Sequence, residues 1–595
     1  MPRHWRFASH DRGVVERLTR EMGCSPLLAQ VLAARGIENG QQGKQFLSAK
    51  MTDLHHPDQL PGISEAADRI VAAIRAGRRI TIYGDYDVDG VTATSILWHC
   101  VKLAGGTVDY YIPSRLEEGY GLNLDAIRTL YEEDPSRLVV TVDCGICSIE
   151  EAALARQLGL ELIITDHHTM TDTLPDAAVN VHPRLPGSNY PFPELCGAGV
   201  AFKLAWAISL RLGDGVKASP RMKAFLISSV ALAAMGTVAD VVPLVGENRI
   251  LVKFGLKSLA ETGIPGLEYL MKVAGIEKEK TLSAEDIGFS LAPRINAAGR
   301  LGQARLAVEL LTTDNRQRAA QLADYVDQLN KNRQTVERRM FRLAKELIEA
   351  HPEWSEHGGL VIAHEEFHPG VMGIVASRVA EAYQKPTIII ATSPDGGIAQ
   401  GSGRTCWGFD LHAGIAACSD LLEGFGGHRA AAGLRIQQNR IDEFREAFAQ
   451  QVGVGEGEGG KAEPDLFIDA EVMLHDLTTQ AVRELEQLGP FGAAHRRPVF
   501  SISKAQLADA PVTMGGGNRH LSLKLRDRDR VIRCVAFGKG DWADEIAQAQ
   551  GPLAFCFSAG INYYRGFESV ELHLHDWQVS TVGQSTAPPV EAIAD

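Results

Sequence analysis

At 595 residues the chain is long enough for roughly four domains, each with its own core. Apolar residues make up 45% and charged residues 23%, an ordinary globular mixture that excludes collagen-like, disordered and disulfide-scaffold classes. The net charge of −14 excludes a histone-like polycation but allows a nucleic-acid enzyme with a local basic groove, because net charge is a sum and a binding site is a place. Nine cysteines are few and odd in number, so they are read as reduced, small buried residues of a cytoplasmic protein. The N-terminus has no apolar stretch of the secretory kind. The longest uncharged apolar run, Ala224 to Ala239, has 16 residues, short of the roughly 20 that span a bilayer. A buried core helix and no membrane are expected.

In chain order, residues 1 to about 60 form an N-terminal extension without clear chemistry. Strands are predicted over 79–83, 107–112, 138–142 and 161–165, with helices over 91–103, 124–131 and 149–158 between them. Short β-branched runs alternating with helical runs mean βαβ units and a parallel sheet. Helices dominate from about Ala198 to Ala274. Arg316 to Ala350 contains neither Gly nor Pro and carries one apolar stripe, so a single helix of about 50 Å is predicted. A strut between two domains is preferred over a coiled-coil dimer, because a second α/β pattern follows at once. That pattern has strands at 359–364 and 386–391 around a helix at 371–383, with glycine-rich turns at 401–404 and 424–428. Gly453 to Lys461 reads as a linker. Five short alternating runs between 499 and 574 suggest a five-stranded OB-fold barrel.

In an open parallel sheet, ligands bind beyond the carboxyl ends of the strands. The first predicted strand runs into Asp85-Tyr-Asp87-Val-Asp89-Gly90, the third into Asp143-Cys-Gly and the fourth into Asp166-His167-His168. The apolar run 224–239 ends in Asp240. Taken singly, each has a plain structural reading, as a turn or a helix cap. An EF-hand is excluded, because loop position 12 counted from Asp85 falls on Ile96. Together, converging carboxylates require a cation, and oxygen-rich sites with imidazoles suit Mn²⁺ or Mg²⁺. Four or more acids allow two ions, the usual device for phosphodiester cleavage. Cys144-Gly-Ile-Cys147 lacks the second pair or thioredoxin-like context that a zinc or redox role needs.

These motifs, with Val238-Ala-Asp240 and Ala292-Pro-Arg-Ile-Asn-Ala-Ala-Gly-Arg300, resemble the DHH phosphoesterase superfamily, and within it the bacterial exonucleases that degrade single-stranded DNA. The region ending in Gly426-Gly-His428 is similar to the DHHA1 domain. The resemblance covers about residues 60–580. It implies two α/β domains joined by a long helix and followed by an OB-fold β-barrel. The expected boundaries are 61–315 for DHH, 316–350 for the helix, 351–455 for DHHA1, 456–464 for a linker, 465–580 for the OB-fold and 581–595 for a disordered tail. It also implies a 5′→3′ exonuclease releasing 5′-mononucleotides in DNA repair and recombination, with Mn²⁺ or Mg²⁺. Single-strand-binding protein and a RecQ-type helicase are the partners implied. Carried over by motif, Asp87, Asp89, Asp143, His167 and Asp240 would be metal ligands, with Asp85 and His168 as ligands or their supports. The alternatives are a phosphoesterase acting on short oligonucleotides or cyclic dinucleotides, and a non-catalytic single-strand-binding scaffold.

An exonuclease that begins at a 5′-phosphate needs a pocket for a dianion, and arginine suits it through bidentate geometry. Ser402 and Arg404 are the leading candidates, with Arg115, Arg294 and Arg300 beside them; the DHHA1 resemblance adds His428. Tyr120, between two glycines, is placed to stack on a base. In the C-terminal region Arg496, Arg497, Arg519, Lys524, Arg526, Arg528, Arg530 and Arg533 interleave with Phe537, Tyr563 and Tyr564, a composition suited to holding single strands.

Overall fold

The fold is that of a computed structural model, which describes residues 3–115, 118–119, 121–277, 281–405, 408–455, 465–564 and 567–579. Tyr120, the linker 456–464 and the tail 581–595 lie outside the described residues. The chain divides into two compact units, Lys50–Lys461 with Pro490–His495, and Met1–Ala49 with Ala462–Gly489 and Arg496–Asp595.

In the larger unit, helix Ile63–Arg75 leads into a five-stranded parallel sheet in the order Thr107–Tyr111, Arg79–Gly84, Leu138–Val142, Glu161–Thr165, Val179–Val181. Leu138–Val142 is buried throughout, as a parallel strand covered on both faces must be. The chain leaves Arg79–Gly84 on one side and returns to its other side at Leu138–Val142. That reversal of direction opens a crevice at the strand ends, where Gly84 and Val142 lie in register. Helix Val88–Leu103 starts three residues before the predicted 91, because Asp87 caps it by accepting the amides of Asp89 and Gly90. Four helices follow, Gly197–Arg211, Pro220–Ala239, Gly246–Ala260 and Pro265–Val273. Pro220–Ala239 is long and apolar enough to cross a membrane, and 56% of its most apolar window is buried. A π-helical segment, Asp286–Leu291, runs directly into helix Ala292–Arg300.

Helix Arg316–Ala350 has the predicted bounds. Met340, Ala344 and Ile348 on its inner stripe pack with Leu360, Ile362 and Val375 of the second α/β region. That region is a five-stranded sheet in the order Gly424–His428, Ala431–Gln437, Ile398–Arg404, Thr387–Ala391, Leu360–His364. Two predicted turns are therefore corrected. Gly401–Arg404 ends one strand and Gly424–His428 is the edge strand. At Gly401 a Cβ would meet Leu434 at 2.8 Å, and at Gly403 it would meet Leu411 at 3.0 Å. These glycines make room for the core on one face, and Ser402 and Arg404 fall on the other.

In the smaller unit, strand Trp5–Phe7 pairs in parallel with Leu466–Ile468. The Trp5 indole N–H donates to Asp576 at 2.8 Å. The C-terminal sheet contains the five expected strands as Phe500–Leu507, His520–Asp527, Arg530–Ala536, Leu553–Tyr564 and Phe567–Val579. Ala470–Glu471 and Val512–Met514 extend it to seven. The expectation of buried cysteines needs one correction: Cys147 is exposed and Cys24 half-buried, although all described cysteines are free.

Candidate metal centre and arginine cluster

The strand ends deliver their acids to one place. Asp85 follows Arg79–Gly84 and is buried. Asp87 and Asp89 lie in the turn and first helical residues after it. Asp89 accepts the backbone N–H groups of Gly197 at 2.6 Å and Ala198 at 2.8 Å, so it sits on the N-terminus of a second helix. Asp143 follows Leu138–Val142 with φ 61°, a left-handed turn that swings its carboxylate into the crevice. Gly197 is needed there, since a Cβ would lie 2.5 Å from Asp143 Cβ and Oδ1. Asp240 ends helix Pro220–Ala239.

His167 joins these groups. Its Nε2 lies 3.1 Å from Asp143, 3.6 Å from Asp240 and 3.7 Å from Asp89. Potential ligand atoms fall into three overlapping groups, each within 4.8 Å: Asp85, Asp87 and Asp143; Asp89, His167 and Asp240; Asp143, Asp166, His167 and His168. His168 Nδ1 is 2.7 Å from Asp166, which also accepts the amides of Ile146, His167 and His168. Asp166 was not among the expected site residues, although it opens the same Asp-His-His motif. Gly197 and Ala198 were also missed, because nothing local marks an amide that serves an acid 108 residues away.

Burial and mutual repulsion raise the carboxyls of Asp85, Asp87 and Asp143, and Asp240 is pushed up to about 8 by burial, Asp89 and Asp87. Asp166 goes the other way. Burial opposes its charge, but the His168 hydrogen bond and charge outweigh it and hold Asp166 at about 2. For His168, burial is likewise outweighed by Asp166, and its imidazolium persists to about 9. Asp85 Oδ1 and His167 Nε2 are buried without a hydrogen-bond partner among the described residues. Buried polar atoms left over among crowded carboxylates and imidazoles fit divalent cations of the Mn²⁺ or Mg²⁺ kind.

Arg115, Arg300, Ser402 and Arg404 gather close to this centre. Arg115 stacks over the Tyr86 ring at 5.1 Å. Arg300 is held at the Gly370 carbonyl, 3.3 Å away. Arg404 donates to Ser402 Oγ at 3.1 Å, and both face Gly373 in the first turn of helix Met372–Tyr383. Burial, then Arg115, Arg333 and Arg404, push Arg300 down to about 10; burial and Arg115 also lower Arg404. Crowded, half-buried cations call for an anion just as crowded acids call for a cation. Arg294 does not join them. Its guanidinium is paired with Asp327 at 2.8 Å and donates to the Ser290 carbonyl. His428 is exposed on the edge strand, where a Cβ on Gly424 or Gly426 would meet nothing within 4 Å. In the C-terminal region, Phe537 and Tyr563 are exposed, whereas Arg496, Arg497, Lys524 and Arg533 are in ion pairs.

A parallel sheet with acids and imidazoles at its switch point, tied by a long helix to a second α/β sheet, defines a DHH-type protein. The DHH family N-terminal domain matches residues 79–237, the DHHA1 domain 357–453 and the RecJ OB domain 468–576. The chain belongs to the RecJ family. It is 37% identical to the single-stranded-DNA-specific exonuclease RecJ of Bacillus subtilis, over 97% of this chain and 71% of that one. Against its Escherichia coli counterpart the identity is 34%, over 92% and 95%. The crystal structure of Thermus thermophilus RecJ in complex with Mn²⁺ superposes with a TM-score of 0.81 at 31% identity, covering 98% of this chain and 81% of that one. The Mg²⁺ complex of the same protein gives 0.75 at 30% identity, over 97% and 78%.

Proposed function

We propose that the chain is a metal-dependent exonuclease that degrades single-stranded DNA from the 5′ end and releases 5′-mononucleotides, in DNA repair and recombination. The carrying observation is the juxtaposition of the acid–imidazole centre with the Arg115–Arg300–Arg404 cluster in one compact unit. Asp85, Asp87, Asp89, Asp143, His167 and Asp240 would hold Mn²⁺ or Mg²⁺, in a two-ion site. Such ions activate water and neutralise charge developing on the phosphate.

The chain's own residues supply the rest. Arg115, Arg300, Arg404 and the Ser402 hydroxyl hold the terminal phosphate, and with it the polarity of attack. Helix amides fix Asp89, and Asp166 keeps His168 charged beside the carboxylates. The open glycine face at Gly424 and Gly426, next to His428, lets a strand approach the backbone closely. The C-terminal sheet would act as an OB-fold barrel that holds the downstream strand. The pairing of Leu507 with Leu525, which joins Phe500–Leu507 to His520–Asp527, supports closure of that barrel. Cytoplasmic placement and work alongside single-strand-binding protein and a RecQ-type helicase complete the proposal, together with the domain boundaries given above.

The test is incubation with Mn²⁺, and separately with chelator, of end-labelled single strands of several lengths. Progressive shortening of long strands, abolished by chelator, is the expected result. Cleavage of dinucleotides and trinucleotides alone would mean a small-substrate phosphoesterase, and binding without cleavage would mean a scaffold.

A further inference from the structure

Phe289 is 82% exposed, more than any other large apolar side chain among the described residues, and no ring partner faces it among them. It lies in the π-helical segment Asp286–Leu291, a rare conformation that often marks functional sites. Its place is fixed from two directions. On one side, a Cβ on neighbouring Gly288 would touch Val238 at 3.7 Å, two residues before Asp240. On the other, the segment continues into helix Ala292–Arg300, where Asn296 Oδ1 accepts the Val88 amide at 3.3 Å, between Asp87 and Asp89. Gly299 on that helix abuts Tyr86, since a Cβ there would lie 2.3 Å from the Tyr86 carbonyl oxygen. Arg300, in the arginine cluster, closes the helix.

The order along this one helical stretch is therefore Phe289, then Asn296 at the metal loop, then Arg300. The eleven residue steps from Phe289 to Arg300 span about 16 Å, the reach of a few nucleotides. A strand whose 5′-phosphate sat at Arg300 would cross the metal loop and continue toward Phe289. Val241, directly after Asp240, is a second apolar group at this end. It is 69% exposed and holds φ 59°, a backbone conformation that β-branched residues avoid. We propose that Phe289 is a stacking platform for a nucleobase on the 3′ side of the scissile phosphate, and so a positioning residue of the single-strand reaction. This rests on the exonuclease reading above. An aromatic face accepts any base but only an unstacked one, which favours single strands without reading sequence.

The experiment uses the full chain with Mn²⁺ and 5′-phosphorylated single strands, either intact or carrying one abasic residue at successive positions. In the unaltered protein, KM is expected to rise about tenfold when the abasic residue occupies one position 3′ of the scissile bond. Phe289→Ala is expected to raise KM about tenfold on the intact strand, with kcat within twofold, and to erase the abasic penalty at that position. Phe289→Trp should retain both. An unchanged KM for Phe289→Ala would overturn the proposal, as would a raised KM with the abasic penalty intact. If Phe289→Ala fails to fold, Phe289→Leu keeps apolar volume without the aromatic face and carries the same comparison. Failure of the unaltered protein to trim any strand would instead strike the exonuclease reading itself, and the platform with it.

Discussion

Asp143 combines two costs, a left-handed backbone at φ 61° and a carboxyl raised by burial and by repulsion from Asp89, Asp87 and Asp85. Both are tolerable only if the acid is needed. Asparagine accepts the left-handed backbone where alanine does not, so Asp143→Asn isolates the charge. That variant is expected to lose about a thousandfold or more in Mn²⁺-dependent cleavage, since metal-assisted stabilisation is worth several kcal/mol. Without metal its melting temperature should equal or exceed that of the unaltered protein, because one repelling charge has gone. Turnover near the original level would remove Asp143 from the centre. His575 gives a separate check on the smaller unit. Burial, with His573 and Arg3 nearby, lowers its pKa to about 4, and it lies 3.1 Å from Ser558 Oγ. Unfolded, it would titrate near 6.5. As pH falls from about 6.5 to 4 the unfolded chain takes up the proton first, so stability drops by at most about 1.4 kcal/mol per pH unit and levels off below 4. His575→Gln should flatten that slope in denaturant titrations; an equal slope would place the acid sensitivity elsewhere.

Helix Gly197–Arg211 shows what an element contributes to the centre. Its first amides hold Asp89, and Gly197 leaves the space that Asp143 fills. Gly197→Ala is expected to keep the fold yet weaken Mn²⁺ affinity by roughly 10- to 100-fold, the usual cost of disturbing groups that orient metal ligands. A Mn²⁺ titration followed by cleavage rate reads this directly, and an unshifted midpoint would contradict it. Elements of this kind separate what the sequence discloses from what it hides. The acids at 85, 87, 89 and 143 and the two histidines are legible because they follow short apolar runs that break abruptly into polar residues, and Asp240 because it ends the longest such run. The long helix is legible because 35 residues keep one stripe without Gly or Pro. The strands Gly401–Arg404 and Gly424–His428 are not, because glycine that makes room for Leu434 or Leu411 looks the same in sequence as glycine that turns the chain. The Arg294–Asp327 pair and the amides on Asp89 depend on residues far apart in the chain, and no local pattern encodes them. The π-helical segment is equally silent, since its residues carry no special propensity.

At the scale of the whole molecule, residues 1–49 belong with the C-terminal sheet through the Trp5–Phe7 pairing and the Trp5–Asp576 hydrogen bond. Deleting 465–595 alone would strand that segment, so the informative truncation is residues 50–461. It is expected to retain metal-dependent cleavage of short oligomers, to bind long strands more weakly and to show a flatter salt dependence, because fewer phosphates are neutralised. Undiminished binding of long strands at every salt concentration would assign the C-terminal sheet another role. The proposed reaction is cleavage from a 5′ end gripped beside a metal centre. Its most direct measurement compares Mn²⁺-dependent degradation of one single strand blocked at its 5′ end, blocked at its 3′ end, or free at both. Protection by the 5′ block alone, with mononucleotides released from the other two strands, is the expected result; protection by the 3′ block, or equal degradation of all three, would contradict the account.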